Sequence, residues 1–125
     1  MPTKFSDTPG AAERALQAWI ILVGMAMRRE TTTYKLLARK MFGREASGVL
    51  ANILGCILFF CQQNELPLLT SLVGNSETGR PGEGIGCDDP EAERERVFGE
   101  DWYAYYPPTV QQLEHAWERG MAAAR

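Results

Sequence analysis

Apolar positions at helical spacing dominate the first sixty residues of the chain. From residue 11 to residue 27 they lie nearly all round the helical projection, which predicts a helix buried on more than one side, in the core or against a partner chain. Thr8 supplies a cap and Pro9 a first-turn proline, while Arg28 and Arg29 place positive charge in the last turn. The first helix is therefore predicted from Pro9 to Arg29.

A second, shorter helix is predicted over residues 34–42. Three threonine hydroxyls precede it as candidate caps, and Gly43 is the type of residue that ends a helix. Leu36, Leu37 and Met41 fall on one stripe of this helix, so all three are expected to face the core. The remaining positions are largely basic.

The pattern changes after a third, long helix, predicted from near Glu45 to about Gln63. Residues 66–73 have strand spacing, and residues 74–76 open a turn region that residues 84–86 close, which is the pattern of two short strands with a loop between them. This order predicts a two-stranded β-hairpin whose tip is the glycine-rich stretch GNSETGRPGEGIG. The stretch lacks the lysine and the following helix of a phosphate-binding loop, so we interpret it as the wing of a winged helix.

The C-terminal part begins with Asp89 and Pro90, which cap an acidic helical turn through about Val97. Residues 109–112 match a capping box that opens a last helix to about Ala123. The fold class expected is α+β and mostly helical. It consists of a winged helix-turn-helix-like domain with a two-stranded β-hairpin at residues 1–87, and an acidic, aromatic helical arm at 88–125 that packs on it.

Charge is distributed unevenly along the chain. The net charge is −3, but residues 1–45 carry eight Lys/Arg against four Asp/Glu, and residues 46–125 carry five against twelve. The basic part could bind phosphate, whereas the acidic part would repel it. The alternative is that both are simply solvated surfaces that partly attract each other.

Two sets of candidate binding residues follow, one for each class of partner. For double-stranded DNA the candidates are cations and polar groups near the second helix, with one arginine at the wing tip: Thr32, Tyr34, Lys35, Arg39, Lys40, Arg44 and Arg80. For a protein partner they are two apolar residues of the long helix, where a homodimer could form, and an aromatic segment: Ile57, Phe60, Trp102, Tyr103, Tyr105 and Tyr106.

The cysteines and the single histidine do not suggest a catalytic or metal site. Cys56, Cys61 and Cys87 contain no Cys-x-x-Cys pair, and His115 is the only histidine. We therefore expect no metal, no cofactor and no enzymatic activity, and a reducing, cytoplasmic setting. Both long apolar segments are shorter than a membrane-spanning helix, and no secretory signal is evident, so no membrane association is expected.

Three segments together resemble a known family. They are residues 33–38 (TYKLLA), 46–55 (ASGVLANILG) and 77–84 (ETGRPGEG), which are similar to the C-terminal winged domain of alkylguanine-DNA alkyltransferases and alkyltransferase-like proteins. The resemblance covers about residues 31–86 and implies a winged helix that binds DNA.

Two departures from the family pattern limit what the resemblance implies. Residues 67–70 read PLLT where the family has its Pro-Cys-His-Arg motif, so the thiolate and its base are missing and alkyl transfer is excluded. The position of the arginine that family members insert into the duplex aligns with Gly48 or its neighbours, so this chain lacks that arginine. Two classes of function remain, a non-catalytic DNA-binding protein and a protein-interaction module of the inhibitor or antidote type.

Overall fold

The computed structural model describes residues 1–7, 10–44, 47–78 and 88–124. In these ranges it has five α-helices, α1 (Ala11–Met27), α2 (Tyr34–Phe42), α3 (Leu50–Gln63), α4 (Pro90–Gly99) and α5 (Val110–Ala123), and two strands, β1 (Thr32–Thr33) and β2 (Val73–Gly74). Short 3-10 helices lie at Phe5–Asp7, Ser47–Val49, Leu69–Leu72 and Trp102–Ala104. The expected α+β, mostly helical class is confirmed.

Helix α1 is at the centre of the core. Its small residues Ala15, Ala18 and Ala26 are fully buried, which lets α3 and α5 approach closely. Trp19 on α1 makes edge-to-face contacts with Phe60 (5.5 Å between ring centroids) and Trp102 (5.6 Å). The predicted burial of this helix on more than one side is confirmed, and its neighbours belong to the same chain.

Helices α3 and α5 pack through two glycines and two aromatic rings. The Trp117 ring lies over Gly55, where an added Cβ would be 2.5 Å from it, and the Phe59 ring lies over Gly120, where the distance would be 2.2 Å. Each helix therefore has a glycine against which a ring of the other helix packs. Because a methyl group at either glycine would clash with that ring, both glycines are required for this helix spacing.

The small sheet differs from the predicted hairpin. Strand β1 pairs in parallel with β2, with Thr32 opposite Val73 and Thr33 opposite Gly74, so two distant parts of the chain meet there. The prediction of a strand over residues 66–73 is wrong except at Val73, because Leu69–Leu72 forms a 3-10 helix with all four side chains buried. Residues 84–86, where the predicted turn region closes, lie outside the described residues.

Helix boundaries follow the capping signals closely. For α2 the Thr33 hydroxyl accepts a hydrogen bond from the Leu36 N–H (3.2 Å), and Gly43 closes the helix at a φ of 74°. Asp89 caps α4, and both bonds of the capping box between Thr109 and Gln112 are present at α5. These predicted starts are confirmed.

Other boundaries move by a few residues. Helix α1 ends at Met27, two residues earlier than predicted, because Arg29 has a φ of 57° that an α-helix cannot contain. Helix α3 begins at Leu50, after the 3-10 helix Ser47–Val49. Helix α1 begins at Ala11 with Gly10 as its N-cap, two residues later than predicted. The predicted cap Thr8, Pro9 and Glu45 themselves lie outside the described residues.

The C-terminal helices share the core with the N-terminal ones. Val97 and Leu113 are fully buried in the same cluster as the apolar face of α1. The buried Glu93 carboxylate accepts hydrogen bonds from the Leu68 N–H (2.7 Å) and from Arg96 (2.9 Å), which fixes α4 against the segment before β2. Among the described helices, none has both the length and the apolarity to cross a membrane.

Candidate functional site: a basic helix surface and a tyrosine loop

Three cations, Lys35, Arg39 and Lys40, lie on the solvent-exposed side of α2, and a fourth, Arg44, follows the C-cap Gly43. Together these four residues are here called the α2 basic surface. The opposite side of the helix is apolar and buried, so packing against the core holds the cations outward. Residues 31–44 contain these four Lys/Arg and no Asp or Glu. The result is a short helix whose exposed charges are all positive.

Ion pairing differs between this surface and the end of α1. Arg28 pairs with Glu30 (2.9 Å), and Arg29 pairs with Glu95 (2.8 Å). Within the described ranges, Lys35, Lys40 and Arg44 form no ion pair. Their charge is therefore available to an external anion, whereas the charges of Arg28 and Arg29 are partly neutralised within the chain.

An open groove runs beside the α2 basic surface and has a volume of about 670 Å³. Its apolar side includes Leu36, which is 51% exposed, although its spacing predicted a core position. The sequence did not indicate the groove, because α1 supplies Met25 and the link to α2 supplies Glu30. Its lining consists of Met25, Glu30, Thr31, Thr32, Leu36, Arg39 and Lys40.

Two of the residues predicted to contact DNA are placed differently from the cations. Thr32 is only 7% exposed and pairs with Val73 in the small sheet. Its predicted contact with phosphate is therefore wrong, and the residue stabilises the strand pairing instead. Tyr34 is half-buried and packs against the core. Arg80, the predicted wing-tip contact, lies outside the described residues.

The β1 to β2 pairing places the base of the predicted wing at the start of α2. Thr33 is the N-cap of α2, and its partner Gly74 leads directly into the turn at Asn75. The Asn75 side chain accepts hydrogen bonds from the N–H groups of Glu77 (2.8 Å) and Thr78 (3.3 Å), which shapes that turn. The chain therefore enters the predicted wing next to the N-terminus of α2.

Residues 100–106, here called the tyrosine loop, form the second exposed surface. Tyr103 is 67% exposed and Tyr106 is 97% exposed. Trp102 was predicted to contact a partner but is 2% exposed, and its Nε1–H donates to the Val97 carbonyl oxygen (2.8 Å). Trp102 therefore anchors the loop in the core and cannot form part of a contact surface.

The remaining aromatic residue of this segment, Tyr105, contacts the buried Trp102. The Tyr105 ring packs edge-on against Trp102, with 6.4 Å between the ring centroids. Its hydroxyl is hydrogen-bonded to Glu100, and this bond raises the pKa of Tyr105. The phenol therefore remains the donor to the Glu100 carboxylate, and this bond fixes the position of the Tyr105 ring in the loop.

The residues predicted to form a dimer on α3 are covered within the chain. Ile57 is fully buried, which corrects its assignment to a partner surface, and Phe60 is half-buried against Trp19. Helices α1 and α5 cover the apolar face that suggested a second chain. The long run of apolar residues reflects packing on two sides rather than an exposed seam.

The cysteines of α3 are inert thiols. Burial raises the pKa of Cys56 to about 11 and the pKa of Cys61 to about 12. A thiolate is the reactive form, so both side chains are poor nucleophiles at neutral pH. In the described part of the chain, no three His, Cys, Asp or Glu side chains come together to hold a metal ion. Cys87 lies outside it.

The segment PLLT is also part of the core. Leu68 and Leu69 are buried, and the Thr70 hydroxyl is buried as well. In the resembling family this is the place of the nucleophile, and here it packs between α1, α3 and α4. It therefore offers no reactive group to a ligand in solution.

No family model, curated protein or solved structure that matches this chain was found by comparison. The resemblance to the alkyltransferase winged domain therefore stays a prediction that rests on the three quoted segments alone.

Proposed function

We propose that this chain is a non-catalytic, winged-helix-like protein that binds double-stranded DNA through the α2 basic surface and the predicted wing. The observation that supports this most directly is that Lys35, Lys40 and Arg44 have no ion-pair partner among the described residues. The position of the wing base beside the α2 N-terminus adds support, because both elements can then contact one duplex.

Phosphate contact accounts for this function better than base recognition does. A nine-residue helix is about 13 Å long, enough to lie along several phosphates of a duplex. Lysine and arginine side chains on flexible stems position a protein on the backbone but do not by themselves identify a sequence. We therefore propose binding with low sequence specificity and strong dependence on salt.

The test is titration of a fluorescently labelled duplex at about 50 mM and about 200 mM salt. The variant Lys35→Ala/Lys40→Ala removes two exposed charges of the α2 basic surface. We expect it to weaken binding and to reduce the slope of log K against log salt by up to about 2, because each lost phosphate contact removes about 0.9.

A charge-matched control is Lys4→Ala/Arg119→Ala, which removes two exposed cations from the N-terminal segment and α5. This variant should bind the duplex like the wild type. Equal loss of affinity in both variants would show a net-charge effect rather than a site, and absence of binding at low salt would refute the proposal.

The second candidate function is a protein-interaction module of the inhibitor or antidote type. The exposed Tyr103 and Tyr106 favour it, since tyrosine is enriched where protein interfaces concentrate binding energy. For either function we propose a reducing, cytoplasmic setting, in which the buried Cys56 and Cys61 stay free thiols.

A further inference from the structure

The tyrosine loop is fixed in place, and two of its rings are more than half exposed. Trp102 holds the loop in the core, and the backbone N–H groups of Ala104 and Tyr105 donate to the carbonyl oxygens of Asp101 and Trp102. Tyr103 and Tyr106 project from this framework into solvent. Since the loop is already ordered, little conformational entropy is lost when a partner binds it.

The chemistry around these rings selects a cation. Residues 98–113 contain two carboxylates, Glu100 and Asp101, and no Lys, Arg or His. A guanidinium or ammonium group can lie on the face of a tyrosine ring and pair with a neighbouring carboxylate at the same time. The loop therefore fits a surface on which Lys or Arg side chains stand together without acidic neighbours.

The α2 basic surface of the same protein has this character, because the one carboxylate that lines its groove, Glu30, is already paired with Arg28. We propose that the tyrosine loop of one copy binds the α2 basic surface of a second copy. The argument is charge complementarity between two exposed regions, one with four cations and no carboxylate, the other with two carboxylates and no cation. Because the two surfaces are different, the contact is heterologous and can continue to further copies.

This contact is expected to be weak and sensitive to salt. One loop against one short helix buries less area than a standard protein interface, so a dissociation constant on the order of 100 µM is expected. The contact uses the same cations as the proposed DNA binding but does not depend on it. Duplex DNA that occupies the α2 basic surface should therefore dissociate the copies.

The first experiment is sedimentation velocity of the full chain from about 10 µM to about 500 µM at about 50 mM salt. The wild type should associate as concentration rises. Tyr103→Ser/Tyr106→Ser and, separately, Lys35→Ala/Lys40→Ala should each weaken association about tenfold or more, whereas Lys4→Ala/Arg119→Ala should not. All four substituted cations and both tyrosines are exposed, and equal thermal midpoints would show that the variants are folded.

The second experiment mixes the two weakened variants. The tyrosine variant keeps an intact α2 basic surface, and the lysine variant keeps an intact tyrosine loop. Each alone should stay monomeric, while the mixture should form a one-to-one pair that cannot extend further. A fluorescent label on one variant and titration with the other would detect this pair.

Several results would overturn the proposal. The first is a wild type that remains monomeric at about 500 µM. The second is association that Lys35→Ala/Lys40→Ala leaves intact, which is the result expected of a dimer through α3. The third is a mixture of the two variants that fails to pair. A monomeric wild type that binds a different basic protein through Tyr103 would also overturn it. DNA binding by the tyrosine variant at low protein concentration tests the proposed function separately, so the two proposals can fail independently.

Discussion

The α2 basic surface and the tyrosine loop are both exposed, but different kinds of structure position them. Helix α2 is set by local signals, a threonine cap at Thr33 and a left-handed glycine at Gly43. The loop is set by Trp102, whose side chain is buried against Trp19 on a distant helix. The ends of α2 are therefore set by neighbouring residues, although packing of its apolar side against the core still orients its cations. The tyrosine loop depends on the assembled core for its position as well.

The largest expected effect comes from removal of the loop anchor. Trp102→Ala should lower the free energy of unfolding by about 3–5 kcal/mol, because it removes a buried ring and leaves the Val97 carbonyl oxygen without its donor. Chemical denaturation would measure this. Tyr103→Ala is the matched control in the same loop and should change stability by less than about 0.5 kcal/mol.

If Trp102→Ala does not fold, Trp102→Phe is the milder variant to use in its place. This variant keeps most of the apolar burial but loses the hydrogen bond to Val97. It should weaken association of the copies while DNA binding through α2 remains. If this variant lost association and DNA binding to the same extent, the α2 basic surface would depend on Trp102 as much as the tyrosine loop does, which would contradict the comparison.

The next effect concerns the packing of α5, which follows the tyrosine loop in the chain. Gly120→Ala should destabilise the protein by about 1–3 kcal/mol, since the new methyl group would meet the Phe59 ring. This loss outweighs the gain of about 1 kcal/mol that alanine gives in a helix interior. Gly99→Ala is the control, because an added Cβ there meets nothing within 4 Å. Thermal denaturation would compare the two variants.

A smaller effect is expected at the cap of α2. Thr33→Ala removes the hydroxyl that accepts from the Leu36 N–H and should cost about 1 kcal/mol, measured as a shift in the denaturation midpoint. Thr33→Ser, which keeps an acceptor oxygen, should restore most of it. The predicted consequence is weaker DNA binding with an unchanged tyrosine loop, and a change in Trp102 fluorescence would contradict this.

The smallest effect is on the pH dependence of the core that supports both surfaces. Burial raises the pKa of Cys61 from 9.0 to about 12, so above pH 9 the unfolded chain loses this proton while the folded chain retains it. The free energy of unfolding should therefore fall as pH rises, by about 1 kcal/mol for this thiol at pH 10. A smaller fall in Cys61→Ala, measured by denaturation at pH 7.5 and pH 10, would confirm it. Equal slopes in both proteins would contradict it.

The sequence by itself determined the helices and most of their ends. Threonine at position 33, glycine at 43, the Asp89 cap and the capping box at 109–112 act on the nearest backbone groups, so their effects are visible without any tertiary contact. It also determined the charge of α2, because cations that alternate with a narrow apolar stripe must face outward. These features require only neighbours in the chain.

Only the tertiary structure decided the strand pairing and the burial of the aromatic residues. The 3-10 helix Leu69–Leu72 forms where strand spacing was predicted, because α1, α3 and α4 surround that segment and bury every side chain in it. The parallel pairing of Thr32 with Val73 joins two segments that are distant in the chain and meet only in the assembled fold. Ile57 and Trp102 become core residues for the same reason, since an apolar side chain is buried by whichever surface the fold places against it.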